Sequence, residues 1–536
     1  MNYLDEAHEF ESRDTAFHLG FLPTEQSNPE TAHLDEAFRT SAATGIRNLQ
    51  RVDRSVLTMA ERVFPSPGFA ALVRAMGEAF RRGGRVVFSG CGATGRLSIL
   101  LEAMWREGCP EFADRVQSIM TGGDFALVKS VESFEDHAVF GARQVRDMKM
   151  TPDDLLVAIT EGGETSSVLG TVKEFTGLGG RAFLLFNNPA ALLRERLARS
   201  REAIDNPAVT VLDLSCGPMA IAGSTRMQAT SCEQLIASAA LELAARGWYG
   251  GRTETDFAAG FARLLGALER GETVKNMADE IVREEETYAV GGRVTYYADA
   301  YMLDLFTDTT ERSPTFMLPP FRRMDDAAAP EPWALVRNPT RSAAETFFRV
   351  LGGRRPRCLE WTETDYAVMG APDRIRTAPP RISEAELLKF PVGKEELPSR
   401  WATGHDMAVL FRAGEAGEEL RAAFDREAAN FAGRAEFDAA LPDLPETRLR
   451  VFEHLAVKLQ WNNISTGTMV RLGRVSGNWM SFVAISNKKL IDRAVRLVAE
   501  LGKLDYHTAC EELFRSVAEA PGEPAVRRTL ARLGRL

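Results

Sequence analysis

Between residues 86 and 212, short apolar runs alternate with stretches in which apolar residues recur every three or four positions. The runs fall at 86–88, 116–120, 155–159, 182–186 and 209–212. Their length and their content of Val, Ile, Leu and Phe predict buried strands. Helix-period stretches lie between them at 95–106, 134–147, 165–176 and 189–199. This alternation predicts an α/β fold, a mainly parallel sheet flanked by helices. Ahead of it, residues 1–35 read as polar turns and 37–82 as two helices separated by Pro65-Ser66-Pro67. A long apolar helix over 231–245 closes the unit, and Gly247 to Gly251 mark a boundary.

The second half opens with helices over about 255–288. Gly291-Gly292-Arg293-Val294 then repeats Gly83-Gly84-Arg85-Val86 at an offset of 208 residues, which predicts an internal duplication. Strands are expected at 333–336, 357–361 and 407–411, among Pro-rich pieces. Long helices over 449–472 and 489–501 and a basic amphipathic tail, read as a packed helix pair, finish the chain.

The chain's 536 residues exceed what one core normally holds, so two units plus extensions are expected. A net charge of −10 argues against general binding to nucleic acid or to anionic membranes. The acidic start and the lack of a long apolar run predict a cytoplasmic protein. Six singly scattered cysteines and seven histidines without ligand spacing suggest free thiols and no metal or other cofactor.

The first strand runs into a loop with Gly90, Gly92 and Gly95, and a helix leaves it. Glycines let a ligand approach the backbone, and the helix start favours an anion, best a phosphate. The same spacing fits the G-x-G-x-x-G dinucleotide pattern, which expects an acidic residue about 20 positions on. Asp124, the first acid after the next strand, lies 29 residues beyond Gly95, a poor match. In the second copy this loop reads Tyr297-Ala298-Asp299-Ala300-Tyr301-Met302-Leu303-Asp304. Without glycines or a Ser/Thr hydroxyl, and with two carboxylates, that copy should repel phosphate.

The stretch 90–100 resembles the sugar-phosphate loop of SIS (sugar isomerase) domains, in particular those of N-acetylmuramic acid 6-phosphate etherases and the glucokinase regulatory protein. The likeness continues at 24–29, 121–124, Glu135-Asp136, 223–227, 463–480 and 485–490, whereas 317–448 matches poorly. The resemblance implies two tandem SIS-type domains, the second degenerate, as in the regulatory protein. Expected boundaries are 1–50 for an N-terminal extension, 51–250 and 251–490 for the two domains, and 491–536 for a C-terminal helical segment.

Residue by residue, the resemblance implies one composite site. Gly92, Ala93, Thr94 and Gly95 would hold the phosphate, with Ala93-Thr94 where the family has a Thr-Ser pair. Glu135 matches one etherase glutamate. The other is missing from the first copy, which has Met104 there. The second copy supplies Glu311, within the matching stretch Asp308 to Phe316. Lys458 matches a sugar-phosphate lysine of the regulatory protein, and the first copy has Gln234 instead. Thr160, Glu161, Gly162, Glu164 and Thr165 form a second ligand loop that departs from the etherase pattern, since its two glutamates bring negative charge and an arginine is absent.

The implied chemistry is removal of D-lactate from N-acetylmuramic acid 6-phosphate by acid–base elimination and hydration, with Glu135 and Glu311 as the catalytic pair. Plainer readings stand beside it: Glu135 as an exposed helix-start carboxylate, Glu311 as a surface turn residue and Lys458 as a solvated lysine. A non-catalytic sugar-phosphate sensor with a protein partner and an SIS-class sugar-phosphate isomerase are the alternatives. The duplication implies a pseudo-dimer for which a monomer could suffice.

Overall fold

The computed structural model describes residues 2–249 and 255–535. The boundary expected at 247–251 therefore lies partly outside the described residues. The first sheet consists of Val86–Gly90 (β1), Val116–Met120 (β2), Leu155–Ile159 (β3), Arg181–Phe186 (β4) and Val209–Asp213 (β5). They run parallel in the order β2-β1-β3-β4-β5. The second sheet, Val294–Tyr297 (β6), Ala334–Arg337 (β7), Met407–Arg412 (β8) and Gly433–Asp438 (β9), is also parallel and ordered β7-β6-β8-β9. The two orders coincide strand for strand, and among the described residues the second sheet stops one strand earlier.

The same side-chain staple fixes the first strand of each sheet. The Asp154 carboxylate accepts from the Arg85 and Thr151 amides at 2.8 and 2.9 Å. Asp406 accepts from Arg293 and Thr403 at the same distances. In both copies the second glycine leaves no room for a Cβ, which would meet the Asp153 carbonyl oxygen at 2.0 Å or that of His405 at 2.5 Å. The repeated Gly-Gly-Arg-Val is thus a turn packed directly against the turn that leads into the neighbouring strand, β3 or β8.

Two helices that are buried around most of their circumference join the halves. They are Gln228–Tyr249, and Val451–Arg471 with almost every residue buried. They pack against each other and against the helix Ala42–Val63. For the site we label Gly92–Gly108 as α1, Met302–Phe316 as α2 and Lys488–Gly502 as α3. α3, Tyr506–Glu519 and Ala525–Arg532 form a cap with its own apolar core, which includes Ala7 and Phe10 of the N-terminal helix Tyr3–Arg13.

Several expectations change. The N-terminal 35 residues include the helix Tyr3–Arg13, because Ala7 and Phe10 lie on one face and meet the cap. The helix expected over 134–147 starts only at Ala138, after a 3₁₀ turn at Glu132–Phe134. That expected over 189–199 is two short helices, broken where Leu197 becomes extended and buries its side chain. Residues 357–361 form no strand. Instead the Arg357 amide and carbonyl bond the carboxylate and amide of Asp124, and the Arg357 guanidinium reaches Glu102 and Ser118. β9 has no apolar run to mark it, because Arg434 and Glu436 point outward from an edge strand.

Glu25, buried near the N-terminus, ties these layers together. Its carboxylate accepts from Arg493 at 2.6 and 2.9 Å and from Arg496 at 2.8 Å, both on α3. Burial pushes its pKa up, but the two guanidiniums outweigh this and bring it down to about 2. Because the folded value lies below the ordinary one, this stabilisation is complete above about pH 4.5 and is lost as pH falls towards 2. Glu25→Gln is expected to cost roughly 3 kcal/mol, as for breaking a buried ion pair. In denaturant titrations the difference from the parent protein should shrink as the pH is lowered through this window.

Candidate functional site

The Gly-rich loop forms as the sequence suggests, and its glycines have separate tasks. Gly90 packs so closely under α1 that a Cβ would lie 2.4 Å from the Thr94 carbonyl, and Gly92 takes a left-handed φ of +56°. The Thr94 hydroxyl is occupied locally, accepting from the Cys91 amide at 3.0 Å and donating to the Cys91 carbonyl at 2.9 Å. Cys91, Gly92 and Ala93 therefore present the start of α1 to the pocket, whereas Thr94 and Gly95 lie behind it. Burial pushes the Cys91 thiol well up, which makes it a poor nucleophile.

The second half completes the pocket through α2. Glu311 lies over the loop, its Oε1 3.7 Å from where a Cβ on Gly92 would be, and pairs with the fully buried Arg96 of α1. Arg96 also donates to the carbonyls of Leu127 and Ala126 and to Ser130. The Thr310 hydroxyl donates to that same Leu127 carbonyl at 3.1 Å. One turn back, Asp308 accepts from Arg226 of the first half at 2.9 Å and from Ser465 at 2.6 Å. Pro314 cannot donate to the Thr310 carbonyl four residues before it, which loosens the last turn of α2 where Pro314 and Thr315 enter the pocket wall.

Glu135 closes the pocket from the other side. It pairs with Lys489 of α3 at 2.5 Å and accepts from Asn487 at 3.3 Å. Burial lowers the Lys489 pKa, but Glu135 and Glu164 outweigh it and hold the ammonium protonated. Glu132 and Glu161 also line the pocket, and among the described residues neither has a cation paired to it. Burial, with the charges of Glu135 and Glu311, pushes Glu132 up to about 7. Burial likewise pushes Glu161 up to about 7, although its carboxylate accepts a 3.3 Å bond from Thr230.

Gly92, Ala93, Glu135, Glu161, Thr165 and Glu311 thus share one pocket. Thr94, Gly95, Thr160, Gly162, Glu164 and Lys458 stand outside its wall. Thr160 bonds Thr165, the Gly162 carbonyl accepts from Asn188, and Glu164 turns away to Arg199 at 2.6 Å. Lys458 is buried beneath the 223–227 loop, donating to the Arg226 and Met227 carbonyls, Ser231 and Asn462. Burial brings its pKa down to about 8. It positions the loop that carries Ser224 and Thr225 into the pocket wall. Asp124, the carboxylate weighed for a dinucleotide ribose, is instead engaged by Arg354 and the Arg357 amide.

The pseudo-symmetric position holds a second, different pocket. There the second copy's Asp299, Tyr301 and Asp304 face Ala103 and Met104 of the first. Asp299 pairs with Arg341, and Asp304 lies 2.8 Å from His454 Nδ1. Neither the glycines of the first loop nor a glutamate matching Glu311 stand at the corresponding places.

Residues 69–176 match the family model of the glucokinase regulatory protein N-terminal SIS domain. The N-acetylmuramic acid 6-phosphate etherase of Lactococcus lactis subsp. lactis is 30% identical over 221 residues, covering 41% of this chain and 68% of that protein. An etherase of Bacillus licheniformis is 31% identical over 222 residues, 41% and 67% of the two chains. The chain belongs to this family of SIS-domain proteins. Tagatose-6-phosphate ketose/aldose isomerase from Escherichia coli aligns in structure over 80% of this chain and 94% of that one, with 11% identity and a TM-score of 0.42.

Arg96, Glu132, Ser224, Thr225 and Lys489 were not among the expected site residues. Four of them sit in or beside stretches already singled out: Arg96 in 90–100, Ser224 and Thr225 in 223–227, and Lys489 in 485–490. Glu132 lies three residues before the Glu135-Asp136 pair.

Ala93 offers a direct test of the loop, because a serine there adds a hydroxyl facing the pocket. Ala93→Ser is expected to tighten binding of inorganic phosphate by about 3- to 10-fold, the worth of one hydrogen bond. Titration calorimetry would measure it. Thr94→Ala should chiefly lower the melting temperature, since that hydroxyl caps α1.

Proposed function

We propose that this SIS-domain protein binds a sugar phosphate at the 91–93 loop and is an etherase-like lyase. Its substrate would be N-acetylmuramic acid 6-phosphate or a related amino-sugar phosphate. The reading rests on one observation: Glu135 from the first half and Glu311 from the second line the same pocket beside the start of α1. Elimination of lactate needs a carboxylate to take the proton at carbon 2 and a carboxylic acid to protonate the ether oxygen at carbon 3. Such general acid–base steps each contribute about 10²–10⁴-fold. Glu132, raised to about 7, is about half protonated at neutral pH and in that form can restore a proton to whichever member of the pair has donated.

A second reading, a sugar-phosphate sensor that does not turn its ligand over, draws on the ion pairs. Both glutamates already face a cation of the protein, Lys489 and Arg96 respectively. A site that keeps its acids engaged suits binding better than proton transfer. The match to the regulatory-protein domain model supports it.

Release of D-lactate from N-acetylmuramic acid 6-phosphate separates the two. The lyase reading expects turnover that falls at least ~100-fold in Glu135→Gln and in Glu311→Gln, with sugar-phosphate binding kept. Binding without lactate from the parent protein would leave the sensor. Turnover should also decline above about pH 7 as Glu132 loses its proton, and Glu132→Gln should flatten that limb of the pH–rate profile.

A further inference from the structure

The N-terminal helix Tyr3–Arg13 lies along Tyr506–Glu519 on the outer side of the cap. Where they touch, side chains about 500 residues apart in sequence converge. His8 Nε2 lies 2.8 Å from Glu511 Oε1, and His507 Nε2 lies 3.5 Å from that same oxygen. One ligand atom from each of His8, His507 and Glu511 falls within 4.8 Å of the other two. The imidazoles are stacked, 5.4 Å between centroids and 15° between planes. We propose that His8, His507 and Glu511 form a binding site for one divalent transition-metal ion, with Zn²⁺ the best fit.

Three features favour a metal over a simple ion-pair cluster. The first is spacing. In a tetrahedral zinc site with bonds of about 2.0–2.1 Å, ligand atoms lie roughly 3.3 Å apart. The His507–Glu511 distance already matches, at 3.5 Å. The His8–Glu511 distance, 2.8 Å, needs to open by about 0.5 Å, and the two imidazole nitrogens, no more than 4.8 Å apart, need to close by up to about 1.5 Å as one ring turns out of the stack, within reach of exposed side chains. The second is rigidity: His507 and Glu511 are four residues apart on one helix and so share a face. The third is the hydrogen bond behind the ligand. His507 Nδ1 lies 2.7 Å from Glu11 Oε2, so in the neutral imidazole the proton sits on Nδ1 and Nε2 is left with its lone pair. A carboxylate behind a ligating imidazole is the arrangement that orients metal-binding histidines.

The donor set, two imidazole nitrogens and one carboxylate oxygen with a fourth position open to water, suits zinc and the neighbouring late transition ions, not calcium or magnesium. The carboxylates of Glu11 and Glu511 would balance the charge of the ion. A bound ion would fasten the first helix of the chain to the cap whose α3 carries Lys489 into the pocket. It would thus be structural and remote from the acid–base pair.

The test uses the full chain without a polyhistidine tag, titrated with Zn²⁺ alone by calorimetry and melted with and without the ion. Expected are one ion bound per chain at micromolar concentration, a higher melting temperature, and loss of both in the His8→Ala/His507→Ala double variant. Glu11→Gln should weaken binding about 10- to 100-fold, the usual effect of removing such a carboxylate. His8 and His507 are surface side chains, so circular dichroism should show the variants folded. Absence of saturable binding at micromolar Zn²⁺ overturns the proposal, as does binding that the double variant retains.

Discussion

A guanidinium buried without access to water must find its partners inside the protein, and Arg96 finds them in two places. Three of its contacts come from its own half, the carbonyls of Leu127 and Ala126 and the hydroxyl of Ser130. The compensating charge comes from Glu311, in the other half. Leaving such a cation unpaired is among the costlier defects a core can carry. The first half is therefore electrostatically incomplete until α2 is docked. Once α2 is docked, Glu311 can lie only over the 91–93 loop. Pocket geometry and the register between halves follow from one constraint.

Around that pair the halves have diverged in a complementary way. The first keeps the glycine loop and lacks the glutamate that α2 supplies. The second keeps the glutamate, and its loop carries carboxylates now consumed by Arg341 and His454. The two pockets are thus built from equivalent backbone and unlike side chains. The backbone likeness runs deep, down to two aspartates that receive corresponding amides at matching distances. Strand order is held by such turns, which tolerate no Cβ, whereas the pocket walls are lined by side chains that can change without disturbing a strand.

The same distinction explains what was legible in the sequence. All five strands of the first sheet and the long central helices could be read, because continuous burial writes itself as apolar runs and periodicity. β9, with charges on its outward positions, leaves no such trace, and the segment around Arg357 carries a strand-like one although side-chain bonds hold it. At the site, Glu135, Glu311 and the loop were reached through a family resemblance and the geometry of the Gly-rich turn. Lys458 matched a motif and yet lies beneath the wall, since a motif names a position and not the direction of a side chain. Lys489 and Arg96 were invisible as functional groups, because a lysine at a helix start and an arginine in a loop-following helix look ordinary until their partners are known. Those partners are 354 and 215 residues away.

Covalent continuity between the halves has a final consequence. When two copies of a polypeptide supply parts of a shared pocket, its occupancy in the assembled form falls on dilution. Here Arg96 and Glu311 belong to one molecule, so their encounter is governed by an effective concentration set by the chain itself. The pocket's integrity should be independent of how much protein is present, and each half has been free to specialise without having to remain complementary to an identical copy.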